Sequence, residues 1–193
     1  MEIDRILFPI QSLGPGNRLV IWTIGCSKHC FNCSNEELWQ HDRERNLSPN
    51  ELVELIIKSV DVDQIDGITF TGGDPLEQVE DLLEIIKKLR VYCNDVLVFT
   101  GYTIEEIRQL FRPKTMKDIE ANISVLIEGR YVDELNDSKI PMRGSTNQRI
   151  IYFDPSVEEK YLSYMATGRR VQNVYSGKKI ISVGIHNKDQ KEN

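Results

Sequence analysis

The chain has 193 residues, a formal net charge of -6, 40% hydrophobic and 28% charged residues. That composition predicts one globular domain with a real core, and its acidity excludes a general nucleic-acid binder, which needs a basic face. No apolar run approaches the roughly 20 residues of a membrane span. The opening "MEIDRILFPI" lacks the long apolar segment of a signal peptide, so a cytoplasmic protein is expected. Four cysteines in this length are too few for a disulfide scaffold.

In chain order, residues 3–12 and 17–24 are apolar and β-prone, and "GPGN" (14–17) separates them. The pair predicts an early hairpin, or a strand and a tight turn. "RLVIWTIG" then runs directly into "CSKHCFNC" (26–33), three cysteines in eight positions. "LSPNELVELIIKSV" (47–60) predicts a helix, with Ser48 and Glu51 as a capping box and Pro49 in its first turn. "GITFTGG" (67–73) reads as a buried strand ending in glycines, and "LEQVEDLLEIIKKLR" (76–90) as a helix with one apolar stripe. "DVLVFTG" (95–101) is a strand, "TIEEIRQLF" (103–111) a helix capped by Thr103 and Glu106, and "ISVLIEG" (123–129) and "QRIIYF" (148–153) are further strands. After Asp154 come a helix over 156–166, a hairpin over 171–185 with a Ser-Gly turn, and a polar tail "HNKDQKEN". The basic "GRR" (168–170) and "GKK" (177–179) read as solvated loop charges.

Alternation of strands and helices predicts an α/β fold with a parallel sheet. Too few strands exist for a closed eight-stranded barrel, so an open or partial βα barrel fits the length. Active residues then belong at the carboxyl ends of the strands, where the cysteine loop and "TGGDP" (71–75) both fall. Residues 1–153 form the core domain in this reading. Residues 154–193 form an extension packed on it, covering the open sheet edge or docking a partner, apart from the cofactor chemistry.

Clustered thiols in a reducing compartment point to metal. Three readings compete for Cys26, Cys30 and Cys33. A structural zinc site wants four closed ligands, so His29, His41, Cys93 or His186 would have to join them. An electron-transfer iron–sulfur cluster usually takes four cysteines. A [4Fe–4S] cluster on three thiolates leaves one iron open to a chelating small molecule. Cys93 reads as a small buried hydrophobe. In "TGGDP" the glycines would let backbone approach a ligand, and Asp74 and Pro75 would open the following helix.

The C-x3-C-x2-C loop after a first strand, followed by Gly-Gly-Asp-Pro after the next, resembles the signature of radical S-adenosylmethionine (SAM) enzymes. "GPGNRLVIWTIGC" and "CSNEELW" resemble the glycyl-radical-enzyme activases of that superfamily. "VFTGYTIEEI", "VLIEGRYVDEL" and "RGSTNQRII" are similar to consecutive blocks of the activating proteins of anaerobic ribonucleotide reductase. The resemblance covers most of residues 14–151. It implies a radical SAM fold with Cys26, Cys30 and Cys33 holding a [4Fe–4S] cluster. Gly72, Gly73 and Asp74 would meet the methionine end of SAM, and Asn32, Cys33 and Ser34 would lie along the adenosyl group. Thr100 would touch SAM or a cation, or serve as a buried, satisfied hydroxyl. Arg143, Ser145, Asn147 and Gln148 would either order their own loop or contact SAM or the partner. Trp22 and Trp39 would pack the core or shield the cluster. The implied activity is reductive SAM cleavage that generates a glycyl radical on a large partner. Anaerobic ribonucleoside-triphosphate reductase is the first candidate, with another glycyl radical enzyme or a peptide as alternatives. A flavodoxin or ferredoxin would donate electrons at low potential. The chain departs from the group at Asn32 and Ser34, where a glycine and an aromatic are frequent, at Glu128, where Asp is usual, and in its extension from Asp154.

Overall fold

Two apolar segments flanking the "GPGN" turn meet as a hairpin, as their composition predicts. In the computed structural model, which describes residues 1–176 and 179–185, β1 (Ile3–Ile10) pairs antiparallel with β2 (Arg18–Thr23). Next come β3 (Gly67–Gly72), β4 (Val96–Phe99) and β5 (Val125–Glu128), which extend β2 as a parallel run. β6 (Arg149–Tyr152) closes the far side antiparallel to β5. The spatial order is β1-β2-β3-β4-β5-β6, so the sheet is parallel in its middle and antiparallel at both edges.

The crossovers are helical. α1 (Pro49–Ser59) links β2 to β3, and both halves of its Ser48–Glu51 capping box are formed. α2 (Val79–Leu89) links β3 to β4. It starts three residues later than its apolar stripe predicts, because Pro75–Gln78 wind first as a 3₁₀ turn capped by Asp74. Between β4 and β5 lie α3 (Ile104–Leu110), capped by Thr103 and Glu106, and α4 (Pro113–Asn122). Sequence reading does not find α4, since it buries only Met116 and Ile119 and has almost no apolar stripe. α5 (Glu158–Met165) follows β6. Among the described residues no helix is long and apolar enough to cross a membrane.

Strand periodicity divides the core in two. Leu19 and Ile21 of β2, Ile68 and Phe70 of β3, and Val96 and Val98 of β4 pack against α1 to α4. On the other face α5 buries Tyr161 and Tyr164 over Leu97, Val125 and Ile127. Beside it, β7 (Val171–Ser176) and β8 (Lys179–Gly184) form a separate two-stranded sheet. Its Val183 seats against Ile10, Val20 and Trp22. The hairpin therefore lies on the sheet face and adds no strand to the six-stranded sheet, though Gln172 donates to the Pro9 carbonyl at the end of edge strand β1. Val183 and Ile181 are its inward-facing apolar residues, and burying them on Trp22 and Val20 satisfies the hydrophobic effect better than an edge position would. The Ser-Gly turn at Gly177, the "GKK" segment's Gly177 and Lys178, and the tail from His186 lie outside the described residues.

At the amino end of the parallel strands sits a fully buried guanidinium. Arg18 donates to Thr69 Oγ1 at 2.6 Å, to the Ile68 carbonyl at 2.8 Å and to Asp95 Oδ1 at 3.2 Å. Asp95 also accepts from the Tyr161 hydroxyl at 2.7 Å and from Lys160 Nζ at 2.7 Å. This network joins β2, β3, the start of β4 and α5. It lies at the opposite end of the strands from the cysteine loop, so the arginine of the "GPGNR" segment is a tie within the fold.

Candidate functional site

The cysteine loop and the glycine loop are joined backbone to backbone. β2 ends at Thr23 and β3 at Gly72, and pairing continues beyond both ends. Gly73 N–H donates to the Thr23 carbonyl at 2.8 Å and Asp74 N–H to the Gly25 carbonyl at 2.7 Å. A β-carbon on Gly72, whose φ is +105°, would stand 2.6 Å from the Thr23 oxygen, and one on Gly73 would stand 2.4 Å from the Gly25 oxygen. These glycines are needed because two main chains touch there. The far side of the loop is pinned by Gly25 N–H on the Leu38 carbonyl and Cys26 N–H on the Trp39 carbonyl.

Cys26, Cys30 and Cys33 are free and half-buried. Left-handed residues His29 (φ 45°) and Asn32 (φ 55°) turn the loop between them. All three thiols line one cavity of about 120 Å³ together with Gly72, Gly73 and Trp39. Burial pushes the Cys26 thiol up to about 11, with Asp74 and Glu77 adding to the effect, and burial also raises Cys30. A thiol must lose its proton to become a ligand, so a bound cation would reverse this shift. The donor set suits a soft thiophilic centre. Trp39, in the same cavity wall and stacked on His29 at 4.8 Å, carries a buried indole N–H with no partner among the described residues. An acceptor such as a cluster sulfide would satisfy it.

Among the described residues, no fourth zinc ligand joins the three thiols: His29 packs on Trp39. His41 Nδ1 lies 3.0 Å from Glu2, Cys93 packs against the helical core at the other end of β4, and His186 is outside the described residues. Among the described residues, the ligating trio drawn within 4.8 Å is Cys26, Asp74 and Glu77; the three thiols form no such trio. One zinc, with bonds of about 2.3 Å, would hold its sulfurs about 4 Å apart.

Asp74 is buried at 1% exposure. Its carboxylate accepts from Thr100 Oγ1 at 2.8 Å, Gly101 N–H at 2.9 Å and Leu76 N–H at 3.1 Å. Asp74 and Thr100 therefore clamp the end of β3 to the end of β4. Burial lifts Asp74 above the usual aspartate range, against the pull of Thr100 and Gly101. Sequence reasoning missed the layer beneath. Glu77 Oε1 accepts from Ser27 N–H at 2.8 Å, Ser27 Oγ at 2.6 Å and Lys28 Nζ at 3.0 Å. Burial opposes the Glu77 charge, but these bonds outweigh it and lower its pKa. Burial likewise opposes the Lys28 charge, yet Tyr102, Asp74 and Glu77 raise it above the usual lysine value. Neither residue carries a periodic signal; only Lys28's place between two cysteines could have drawn notice.

A larger cavity of about 450 Å³ adjoins the first and shares Cys33, Thr71, Phe99, Tyr131 and Gln148 with it. Ser34 lines it, Trp22 with the Arg5 guanidinium 5.1 Å from its ring forms part of the wall, and Ile180–Ile185 of the hairpin close another side. Asn32 is half-buried at the loop's turn. The 143–148 loop is largely self-satisfied: Gln148 Oε1 accepts from Gly144 N–H and Ser145 N–H, Arg143 donates to the Gln148 carbonyl, and Asn147 donates to the Arg130 carbonyl. Ser145 is fully buried and accepts from Val132 N–H. Of these four, Gln148 reaches both cavities.

A parallel α/β sheet with three free thiols and a bare glycine backbone at its strand ends is the frame of an iron–sulfur protein, and the profile of the 4Fe-4S single cluster domain matches residues 12–151. The chain is 30% identical over 148 residues to the anaerobic ribonucleoside-triphosphate reductase-activating protein of Escherichia coli (strain K12), covering 73% of this chain and 92% of that one. It is 33% identical over 156 residues to the protein of the same name from Enterobacteria phage T4, covering 78% and 93%. The Haemophilus influenzae protein of that name is 32% identical over 146 residues, covering 72% and 90%. The chain belongs to the 4Fe-4S single cluster domain family and, within it, to the family of anaerobic ribonucleoside-triphosphate reductase-activating proteins.

Proposed function

We propose that the chain is a radical SAM activase acting on an anaerobic ribonucleoside-triphosphate reductase. The observation that carries this reading is the convergence of Cys26, Cys30, Cys33 and the Gly72–Gly73 backbone on one cavity, with a second, ligand-sized cavity beside it. In this reading Cys26, Cys30 and Cys33 hold the [4Fe–4S] cluster and the sheet is an open, partial βα barrel. Held there beside SAM, the cluster would supply the one electron for reductive SAM cleavage, the chemistry that abstracts a hydrogen atom from a partner glycine.

The chain's own residues bind, orient and shield. The backbone of Gly72 and Gly73 offers an approach for the amino-acid end of SAM that side chains would block. Asp74, with its carboxylate engaged by Thr100 and Gly101, positions that backbone. Asn32, Cys33 and Ser34 lie along the adenosyl group, where Ser34 and Cys33 line the larger cavity. Trp22 and β8 exclude water from it. Residues 1–153 carry the cluster, and 154–193 are an extension, whose described residues pack on the core through α5 and β8. A low-potential flavodoxin or ferredoxin is the electron donor, and the site of action is the cytoplasm.

Anaerobic reconstitution tests this reading. About four irons and four sulfides per chain are expected. Dithionite should then drive SAM cleavage, and mixing with the reductase should produce a glycyl radical signal by electron paramagnetic resonance. Replacing Cys26, Cys30 or Cys33 with Ala should abolish cleavage, and Cys93→Ala should preserve it. Loss of iron from Cys93→Ala would break the three-thiolate assignment. Radical formation on a different glycyl radical enzyme, and none on the reductase, would reassign the partner.

A further inference from the structure

The cysteine loop carries a lysine whose charge is buried among acids. The Lys28 side chain is only 4% exposed. Its Nζ lies 3.0 Å from Glu77 Oε1, 3.8 Å from Asp74 Oδ2 and 3.2 Å from the centroid of the Tyr102 ring. Its stem crosses Gly101, where a β-carbon would stand 2.8 Å from Lys28 Cγ. The site is thus shaped around this side chain. Cys26 Sγ, one carboxylate oxygen of Asp74 and one of Glu77 all lie within 4.8 Å of one another. Two acids press on one candidate ligand sulfur, and Lys28 is the cation buried with them.

A cluster gains negative charge when it is reduced. Carboxylates beside a ligand sulfur disfavour that step, and a fixed cation favours it. In a partly buried site the effect is far stronger than in water. We infer that Lys28 sets the reduction potential of the cluster, holding it up within reach of a low-potential donor by offsetting part of the negative charge that Asp74 and Glu77 place against Cys26. One electron passes from the donor to the cluster, and the lysine keeps its proton throughout. The inference rests on the assignment of Cys26 as a cluster ligand.

An alternative role is purely structural, since Lys28 and Ser27 both tie the loop to Glu77. Glu77→Gln separates the two, because it removes a negative charge and retains an oxygen for Ser27. The measurement is a redox titration of the full-length, reconstituted protein without SAM, followed by electron paramagnetic resonance, after iron and sulfide have been counted. Lys28→Met should lower the equilibrium constant for reduction at least tenfold, which is about 59 mV for one electron. Glu77→Gln should shift the potential upward, and Lys28→Arg should return it close to the parent value. A full cluster with an unmoved potential in Lys28→Met, or an unmoved or lowered potential in Glu77→Gln, overturns the inference. If Lys28→Met assembles no cluster, Glu77→Gln decides alone. Retention of four irons by Cys26→Ala would instead sink the ligand assignment, so the two failures are distinguishable.

Discussion

A β-carbon at Gly73 would have no room, and what it would strike is the Gly25 carbonyl that opens the cysteine loop. The obstacle is main chain, which cannot rotate away as a side chain could. Gly73→Ala should therefore push the Cys26 end of the loop outward as well as narrow the approach to the glycine backbone. Overpacking of this kind costs about 1–3 kcal/mol. The expected outcome is a lower melting temperature together with iron content well below the parent's after reconstitution. A variant with full iron and only weaker SAM binding would mean that the space at Gly73 serves the ligand alone. At the same scale, "TGGDP" is recognisable in the sequence as a close-approach motif. Its actual neighbours, Thr23 and Gly25, lie some fifty residues earlier in the chain, and only pairing of β2 with β3 reveals them.

The hairpin β7–β8 is the element whose position matters most for the site. It packs Val183 on Trp22 and Val20, and its second strand lines the larger cavity beside Cys33 and Ser34. Ending the chain after Arg170 should leave the six-stranded sheet and the cysteine loop in place. It should cost about 2–4 kcal/mol, the worth of one fully buried aliphatic side chain and its half-buried neighbours. Iron content should stay near the parent value, while SAM affinity measured by equilibrium dialysis falls at least tenfold. Unchanged SAM affinity would place the ligand outside the 450 Å³ cavity. Sequence alone suggests a tail apart from the cofactor, because the hairpin has no titratable cluster of catalytic type. Its contribution is apolar cover, which carries no motif.

At the scale of the whole molecule, the Arg18–Asp95 pair ties the amino ends of the strands to α5. Arg18 is fully buried and the Asp95 side chain is 8% exposed. Burial opposes the Asp95 charge, but Arg18 outweighs it and holds the carboxyl below the usual aspartate value. A depressed carboxyl contributes stability above its unfolded pKa, and that contribution is lost as pH falls through the folded value. Unfolding experiments should accordingly show this loss beginning near pH 4, the ordinary aspartate range, and growing below it. Asp95→Asn should remove about 3–5 kcal/mol at neutral pH, since it leaves a buried guanidinium without its counter-charge. It should also flatten the acid limb of the stability curve. An unaltered acid limb in denaturant titrations would show that other carboxylates govern it. Chain truncation at residue 153 would remove Tyr161 from the same network, so α5 belongs to the stability of the core.

Local patterns in the sequence determine a good deal of this protein. Short continuous apolar runs specify β2 to β5, the Ser48–Glu51 and Thr103–Glu106 boxes mark two helix starts, and the spacing of Cys26, Cys30 and Cys33 marks the candidate ligand loop. Each of these signals acts within a few residues, through hydrogen bonds and side-chain direction that neighbouring positions fix. Tertiary structure alone decides the rest. The antiparallel edge at β6, the seat of the hairpin on Trp22, the engagement of Asp74 by Thr100, and the burial of Lys28 between Glu77 and Tyr102 all join residues distant in the chain. Such contacts follow from which faces are left apolar, and which charges are left unpaired, once the strands have come together.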